Sequence, residues 1–163
     1  PIIAAINGPA AGLGLILSMW CDMRFAAKSA IFSTAFSKRG LIAEHGMSWL
    51  LPRLVGMGNA MDITLTARKI TAEEAEKIGF VNKTYDDEIF MTEVIKYAEK
   101  LAKEVSPRSM KIMKRQLWQG MLQGLDEAVS IADKDMVESF SSEDFKEGVA
   151  HFIEKRSPNF SGK

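Results

Sequence analysis

Two stretches of this chain hold residues whose types and spacing could do chemistry. The first is Asn7-Gly8-Pro9-Ala10-Ala11-Gly12-Leu13-Gly14. An apolar run precedes it and another follows, so a glycine-containing loop joins a strand to a helix start. Backbone N–H groups at such a start converge on the positive end of the helix dipole. Two chemistries use that geometry: phosphate binding and stabilisation of a developing oxyanion. The phosphate readings lack their partners. Leu15-Ile16 stands where a P-loop needs Lys-Ser/Thr, and no third glycine of a dinucleotide fingerprint follows Gly14. A glycine loop used only for close packing stays open beside the oxyanion reading. The second stretch is Gly40-Leu41-Ile42-Ala43-Glu44-His45-Gly46, with two titratable neighbours. Taken alone, Glu44 reads as an acid in the first turn of a helix over residues 45–55, where the dipole favours it. His45 is a second titratable candidate, or a helix-start residue that faces loop or solvent.

The elements that must position these groups follow from patterning. Residues 1–6 (PIIAAI) form an Ile-rich run closed by Asn-Gly, which predicts a strand covered on both faces. Residues 15–21 predict an apolar helix buried all round. Residues 23–27 and 30–33 are candidate strands about a Lys28-Ser29 turn, and residues 36–44 read as a loop. Pro52 implies an irregular or interrupted turn in the helix that follows. Gly56-Met57-Gly58 punctuates, and a helix resumes over 59–67. Thr71-Ala72-Glu73-Glu74 is a capping box. The short helix behind it stops at Gly79, and an extended segment covers 80–85. From Asp86 the character changes. Phe90, Val94, Tyr97, Leu101 and Val105 recur at helical spacing. Ser106-Pro107 starts a second helix, a third spans 125–140, and Ser141-x-x-Asp144 opens a last one toward Arg156. Strands and loops come first and helices after, which predicts an α/β core over 1–85 and a helical section over 86–163.

Composition narrows the function classes. Lys+Arg and Asp+Glu balance at 21 each, and no basic stripe suggests a nucleic-acid partner. At 163 residues and 47% hydrophobic, the chain can bury a substantial core. Cys21 is its one cysteine, which forbids an internal disulfide and fits a cytoplasmic or other reducing compartment. Residues 2–21 carry no charge before Asp22, a length that a membrane span would need, but the Asn7-Gly8-Pro9 turn breaks it. The chain starts at Pro1 inside an apolar run, so its true N-terminus is expected upstream, with any targeting signal.

Taken together, PIIAAINGPAAGLG, CDMRFAA, RGLIAEHG, LPRLVG, LTARKITAEEAEKIGFVNKTY and EGVAHFIEKRSPNF resemble, in order and spacing, the crotonase (enoyl-CoA hydratase/isomerase) superfamily, C-terminal part. The resemblance implies a crotonase-like ββα spiral core over 1–85 and a helical oligomerisation and CoA-covering section over 86–163, in homotrimers or hexamers. It implies an acyl-CoA thioester as substrate, with coenzyme A part of that substrate and neither further cofactor nor metal. One oxyanion-hole donor corresponds to the backbone N–H of Leu13, flanked by Gly12 and Gly14. The other lies in a segment before residue 1. Leu13 departs from the glycine usual there, but any residue except proline keeps the donor.

The larger departure concerns acid and base. The two glutamates of the hydratases correspond here to Ile16 and Phe36, and neither can move a proton. Glu44 matches the single carboxylate of the Δ3,Δ2-enoyl-CoA isomerases, whose G-L-x-x-E-G segment is similar. The favoured expectation is therefore an isomerase that shifts a double bond, with Glu44 as proton shuttle, His45 as a possible second group, and Ile16 and Phe36 as an apolar wall that excludes water. Hydration, dehydration or thioester hydrolysis with a non-standard acid/base set is an alternative. A non-catalytic acyl-CoA-binding homologue is another. Phe152 and Lys155 match positions that contact the CoA of a neighbouring subunit.

Overall fold

A computed structural model describes all residues, Pro1–Lys163. The chain divides into two compact units, Ile2–Ile95 and Lys96–Lys163 with Pro1. No helix in it is long and apolar enough to cross a membrane.

The first unit alternates between two small sheets. Strand β1 (Ile3–Ile6) enters one sheet, β2 (Ala10–Ala11) the other, and helix α1 (Leu13–Met19) follows. The pattern then repeats: β3 (Met23–Ala27), β4 (Ile31–Ser33), a 3₁₀ turn at Ser37–Arg39, and helices α2 (Met47–Val55) and α3 (Met57–Thr66). After β5 (Ile70–Thr71) and α4 (Ala72–Lys77), β6 (Lys83–Tyr85) returns to the first sheet. That sheet runs β1-β3-β6, all parallel. The other runs β2-β4-β5, with only β4 and β5 antiparallel. The first two turns each run strand, strand, helix and add one strand to each sheet, whereas in the third α4 stands between β5 and β6.

Side chains from both sheets and from α1, α2 and α3 meet in one core. Phe32 and Phe80 pack edge to face at 5.3 Å, both buried with Leu15, Ile16, Met47, Leu51 and Ile63. Burying each such aromatic stabilises the fold by about 1.5–3 kcal/mol. Arg24 is the buried cation in this unit. Its guanidinium donates to the carbonyls of Phe80, Met19 and Cys21 at 2.7, 3.3 and 2.7 Å. Burial pulls its pKa down, while the nearby Cys21 and Asp22 oppose that pull.

Several local expectations change. β1 is not covered on both faces by residues of this chain: Ile6 is buried, whereas Ala5 is exposed. α1 is not buried all round: Leu15, Ile16, Ser18 and Met19 face the core, whereas Leu17 is 63% exposed. A continuous apolar run reads the same whether one face or both are covered. The helix expected from residue 45 begins at Met47, so Glu44 and His45 precede it and its first turn holds no acid. That helix also runs unbroken through Pro52. The carbonyl deprived of its donor belongs to exposed Ser48 and can turn to water. Gly56 alone ends it, and Met57 and Gly58 already belong to α3.

Only half of the capping box forms. Thr71 accepts from the Glu74 N–H at 3.2 Å, but the Glu74 carboxylate turns to Arg68 instead. A bidentate guanidinium outcompetes one backbone amide for a carboxylate. Thr71→Ala should therefore destabilise the protein by about 1 kcal/mol, read as a lower urea midpoint with unchanged slope. A loss no larger than a few tenths of that would show that the Thr71 hydroxyl adds little to α4.

The second unit is helical: the greater part of α5 (Phe90–Glu104), then α6 (Pro107–Gly120), α7 (Leu125–Ser139) and α8 (Glu143–Glu154). Ser106 caps α6 by accepting from the Ser109 N–H, with Pro107 in the first turn. α6 packs on α7, where Arg115 pairs with Asp135 and Arg108 donates to the Ser139 hydroxyl. The cap of α8 is Ser142, not Ser141, because Ser142 accepts from the Phe145 N–H. Asp144 serves another purpose: it is buried and receives the Ser106 hydroxyl and the Ser161 and Gly162 amides.

Candidate active site

The Gly12 loop and the Glu44 turn both belong to the first unit, at opposite ends of one short helix. Asn7-Gly8-Pro9 turns the chain out of β1 and into β2. Gly12 then adopts φ 52° and ψ −120°, and its N–H donates to the Ser33 carbonyl at 3.1 Å. A Cβ there would come no nearer than 4.0 Å to the Thr34 carbonyl, so the backbone angle and not crowding calls for glycine. α1 begins at Leu13 with no capping side chain. Its first-turn amides, Leu13 included, have no acceptor inside the helix and point out of its N-terminal end. The Leu13 side chain is 55% exposed, so it leaves the core and does not crowd the turn. Gly14 is exposed as well, with open space around its Cβ position.

Ile16 and Phe36 are buried in the core. Ile16 lies on the inner face of α1, and Phe36 opens the 3₁₀ turn, accepting through its carbonyl from the Arg39 and Leu41 amides. The chain then runs exposed through Leu41 and Ile42 to Glu44. The Glu44 carbonyl accepts from the Met47 N–H at 2.9 Å, which closes the turn at the start of α2. His45 and Gly46 are consecutive left-handed residues, φ 50° and 78°. Histidine occurs there more often than most side chains, and Gly46 is free to. This backbone turns the two side chains to one side, leaving His45 Nε2 3.7 Å from Glu44 Oε2. Helix-start geometry would have pointed them apart. Glu44 is 37% exposed at its side chain, so residues of this chain do not complete the apolar enclosure expected around it.

One participant escaped the sequence reading. Trp20 donates its indole N–H to the His45 carbonyl at 3.1 Å. No local pattern signals this bond, because its partners stand 25 residues apart.

In the second unit, Phe152 is 80% exposed, and Lys155 ends α8 in a left-handed conformation, φ 53°. His151 lies edge-on to Phe160, with its Nδ1 3.3 Å from the Arg156 carbonyl.

The family model described as enoyl-CoA hydratase/isomerase matches residues 1–163. The chain belongs to the enoyl-CoA hydratase/isomerase family. Among curated relatives, it is 36% identical over its whole length to 1,2-epoxyphenylacetyl-CoA isomerase of Escherichia coli K12, covering 62% of that protein. It is 39% identical to crotonyl-CoA hydratase of Syntrophomonas wolfei, again over its whole length and 62% of the relative. Among solved structures, the enoyl-CoA hydratase of Bacillus anthracis superposes on all of the chain with TM-score 0.96 at 33% identity, the chain covering 63% of that structure. The α/β architecture is therefore the crotonase fold of this family, and the chain spans less than two thirds of the relatives that it matches.

Proposed function

We propose that the protein of this enoyl-CoA hydratase/isomerase chain shifts a double bond in an enoyl-CoA, with Glu44 carrying the proton. One observation carries the reading: Glu44 stands on an exposed turn tied to α1, while the positions that resemble the hydratase glutamates hold buried Ile16 and Phe36. In the reaction, Glu44 takes a proton from C2 of a 3-enoyl thioester. Charge then develops on the thioester oxygen, which the Leu13 amide would hold, with Gly12 setting the approach. Glu44 returns the proton at C4, so one carboxylate suffices. Coenzyme A is part of the substrate, and the steps call for no further cofactor or metal.

A second reading has its own support. His45 lies within 3.7 Å of Glu44, and hydratase names are prominent among the relatives. Such a pair could activate and deliver water where the usual glutamates are missing. Assembly as a homotrimer or hexamer is part of the proposal, with residues 1–85 as catalytic core and 86–163 as the assembly section. Leu125, Val129, Val137, Phe140 and Phe152 are exposed on α7, α8 and the segment between them, apolar side chains that a neighbouring subunit would cover. Phe152 and Lys155 would then meet the CoA of a neighbouring subunit.

Incubation with 3-enoyl-CoA and with 2-enoyl-CoA, followed by chromatographic separation of the double-bond isomers and mass spectrometry, tests the reaction. Conversion of 3-enoyl to 2-enoyl thioester at constant mass is the expected result. A hydroxyacyl product from 2-enoyl-CoA, without bond migration, would replace isomerisation by hydration. Acyl-CoA binding with neither product nor deuterium exchange at C2 would mark a non-catalytic homologue.

A further inference from the structure

We propose that Trp20 is a positioning residue that tethers the turn of Glu44, His45 and Gly46 to the end of α1, opposite the Leu13 amide. The inference rests on the reading of Glu44 as proton carrier.

Trp20 is itself firmly placed. It ends α1, where its N–H donates to the Ile16 carbonyl at 3.2 Å. The neighbouring carbonyls of Met19 and Cys21 are gripped by the buried Arg24 guanidinium. From that point the indole makes two contacts with the turn. Its Nε1–H donates to the His45 carbonyl at 3.1 Å. Its six-membered ring lies so close to Gly46 that an added Cβ would sit 2.9 Å from Cζ2. Gly46 is thus required twice, by its φ of 78° and by the ring above it.

Burial does not explain the choice of tryptophan, because Trp20 remains 43% exposed. A phenylalanine could cover part of the same surface, but it has no donor for the His45 carbonyl. Glu44 follows an exposed segment. Of the two left-handed residues after it, Gly46 is tied to α2 through its carbonyl, which accepts from the Trp49 and Leu50 amides, whereas the His45 carbonyl accepts from the indole. α1 is seven residues long, a rigid spacer of about 10 Å at the usual rise. With the oxyanion donor at one end and the tethered turn at the other, the helix sets where Glu44 can stand relative to the thioester oxygen.

Trp20→Phe in the intact protein tests this, with Glu44→Gln measured beside it. The expected result is a fall in kcat of about tenfold with KM within about twofold, because the tether acts on geometry at the reacting atoms and not on acyl-CoA affinity. The Met47 amide, bonded to the Glu44 carbonyl, should also exchange with deuterium faster, while amides in β3 stay protected. Unchanged kcat in Trp20→Phe, where Glu44→Gln abolishes turnover, would overturn the positioning role and leave Glu44 standing. Full turnover in Glu44→Gln would instead overturn the reading of Glu44. The tether would then be judged on exchange alone: faster at Met47 supports it, and no change overturns it. A parallel loss of kcat, KM and protection throughout the first unit would identify Trp20 as merely structural. Gly46→Ala provides an independent check. It should lower kcat as Trp20→Phe does, and the double variant should lose less than the product of the two.

Discussion

Glu44→Gln is expected to lower turnover of a 3-enoyl-CoA by about a thousandfold or more, with acyl-CoA affinity changed by less than about threefold. The amide nearly preserves the volume of the carboxylate and cannot accept the C2 proton. It also leaves the turn intact. The bonds that shape residues 44–47 run to backbone carbonyls, from Met47 to that of Glu44 and from Trp20 to that of His45. A loss in Glu44→Gln therefore reports chemistry and not a collapsed loop. Glu44→Asp retracts the carboxylate by one methylene. It should fall between, since a shift of about 1 Å can cost about a hundredfold. His45→Ala separates the two enzymatic readings. Isomerisation through one carboxylate should tolerate it, whereas hydration by a Glu44–His45 pair should fall nearly as far as with Glu44→Gln. Steady-state rates with both enoyl thioesters, and calorimetric titration with a saturated acyl-CoA, give the required comparison. Turnover of Glu44→Gln within about threefold of the parent would end the proton-shuttle proposal.

The legibility of this chain depended on whether a signal was local. The strand, glycine loop and helix start at residues 3–19 were readable because turn residues and apolar runs act on their own neighbourhood. So were the Ser106-Pro107 start of α6 and the Gly79 stop after α4. What failed was long-range or competitive. Whether an apolar run is buried on one face or both depends on partners distant in sequence, so Leu17 and Ala5 were placed inside and are not. Glu74 satisfies a capping pattern, yet it is taken by Arg68, six residues earlier. His45 looked like a helix start because its left-handed φ cannot be inferred from a single histidine. The indole bond from Trp20 joins positions 25 apart and has no sequence signature. The resemblance located Glu44, but only the backbone around it explains how the side chain reaches one side together with His45.

The second large effect belongs to the helical unit, at Asp144. Asp144→Ala should destabilise that unit by about 3 kcal/mol, because it leaves the Ser106 hydroxyl and the Ser161 and Gly162 amides without their buried acceptor. It also loosens the cap of α6, since Ser106 bonds both Asp144 and the Ser109 N–H. Asp144→Asn keeps one acceptor oxygen and should lose less than half as much. The same carboxylate makes the unit sensitive to acid. Burial pushes the Asp144 pKa up, but the Ser106 hydroxyl and the backbone amides of Gly162, Ser161 and Arg108 together outweigh it, and the net shift is down from 3.8. Glu147 moves the same way, from 4.5 to about 2, held first by the Arg156 guanidinium and then by the Asn159 amide. A carboxyl depressed in the folded state stabilises fully above its unfolded pKa, and that contribution disappears as pH falls through the folded value. The helical unit should therefore keep its stability down to about pH 4.5 and lose it progressively toward pH 2. Asp144→Ala should flatten the part of that loss below about pH 4, and Glu147→Gln the part that begins near 4.5. Urea midpoints between pH 6 and pH 2.5, with hydrogen exchange at the Ser161 and Gly162 amides, measure both effects. An acid limb of equal depth in all three proteins would show that neither carboxylate holds the C-terminal segment to α8.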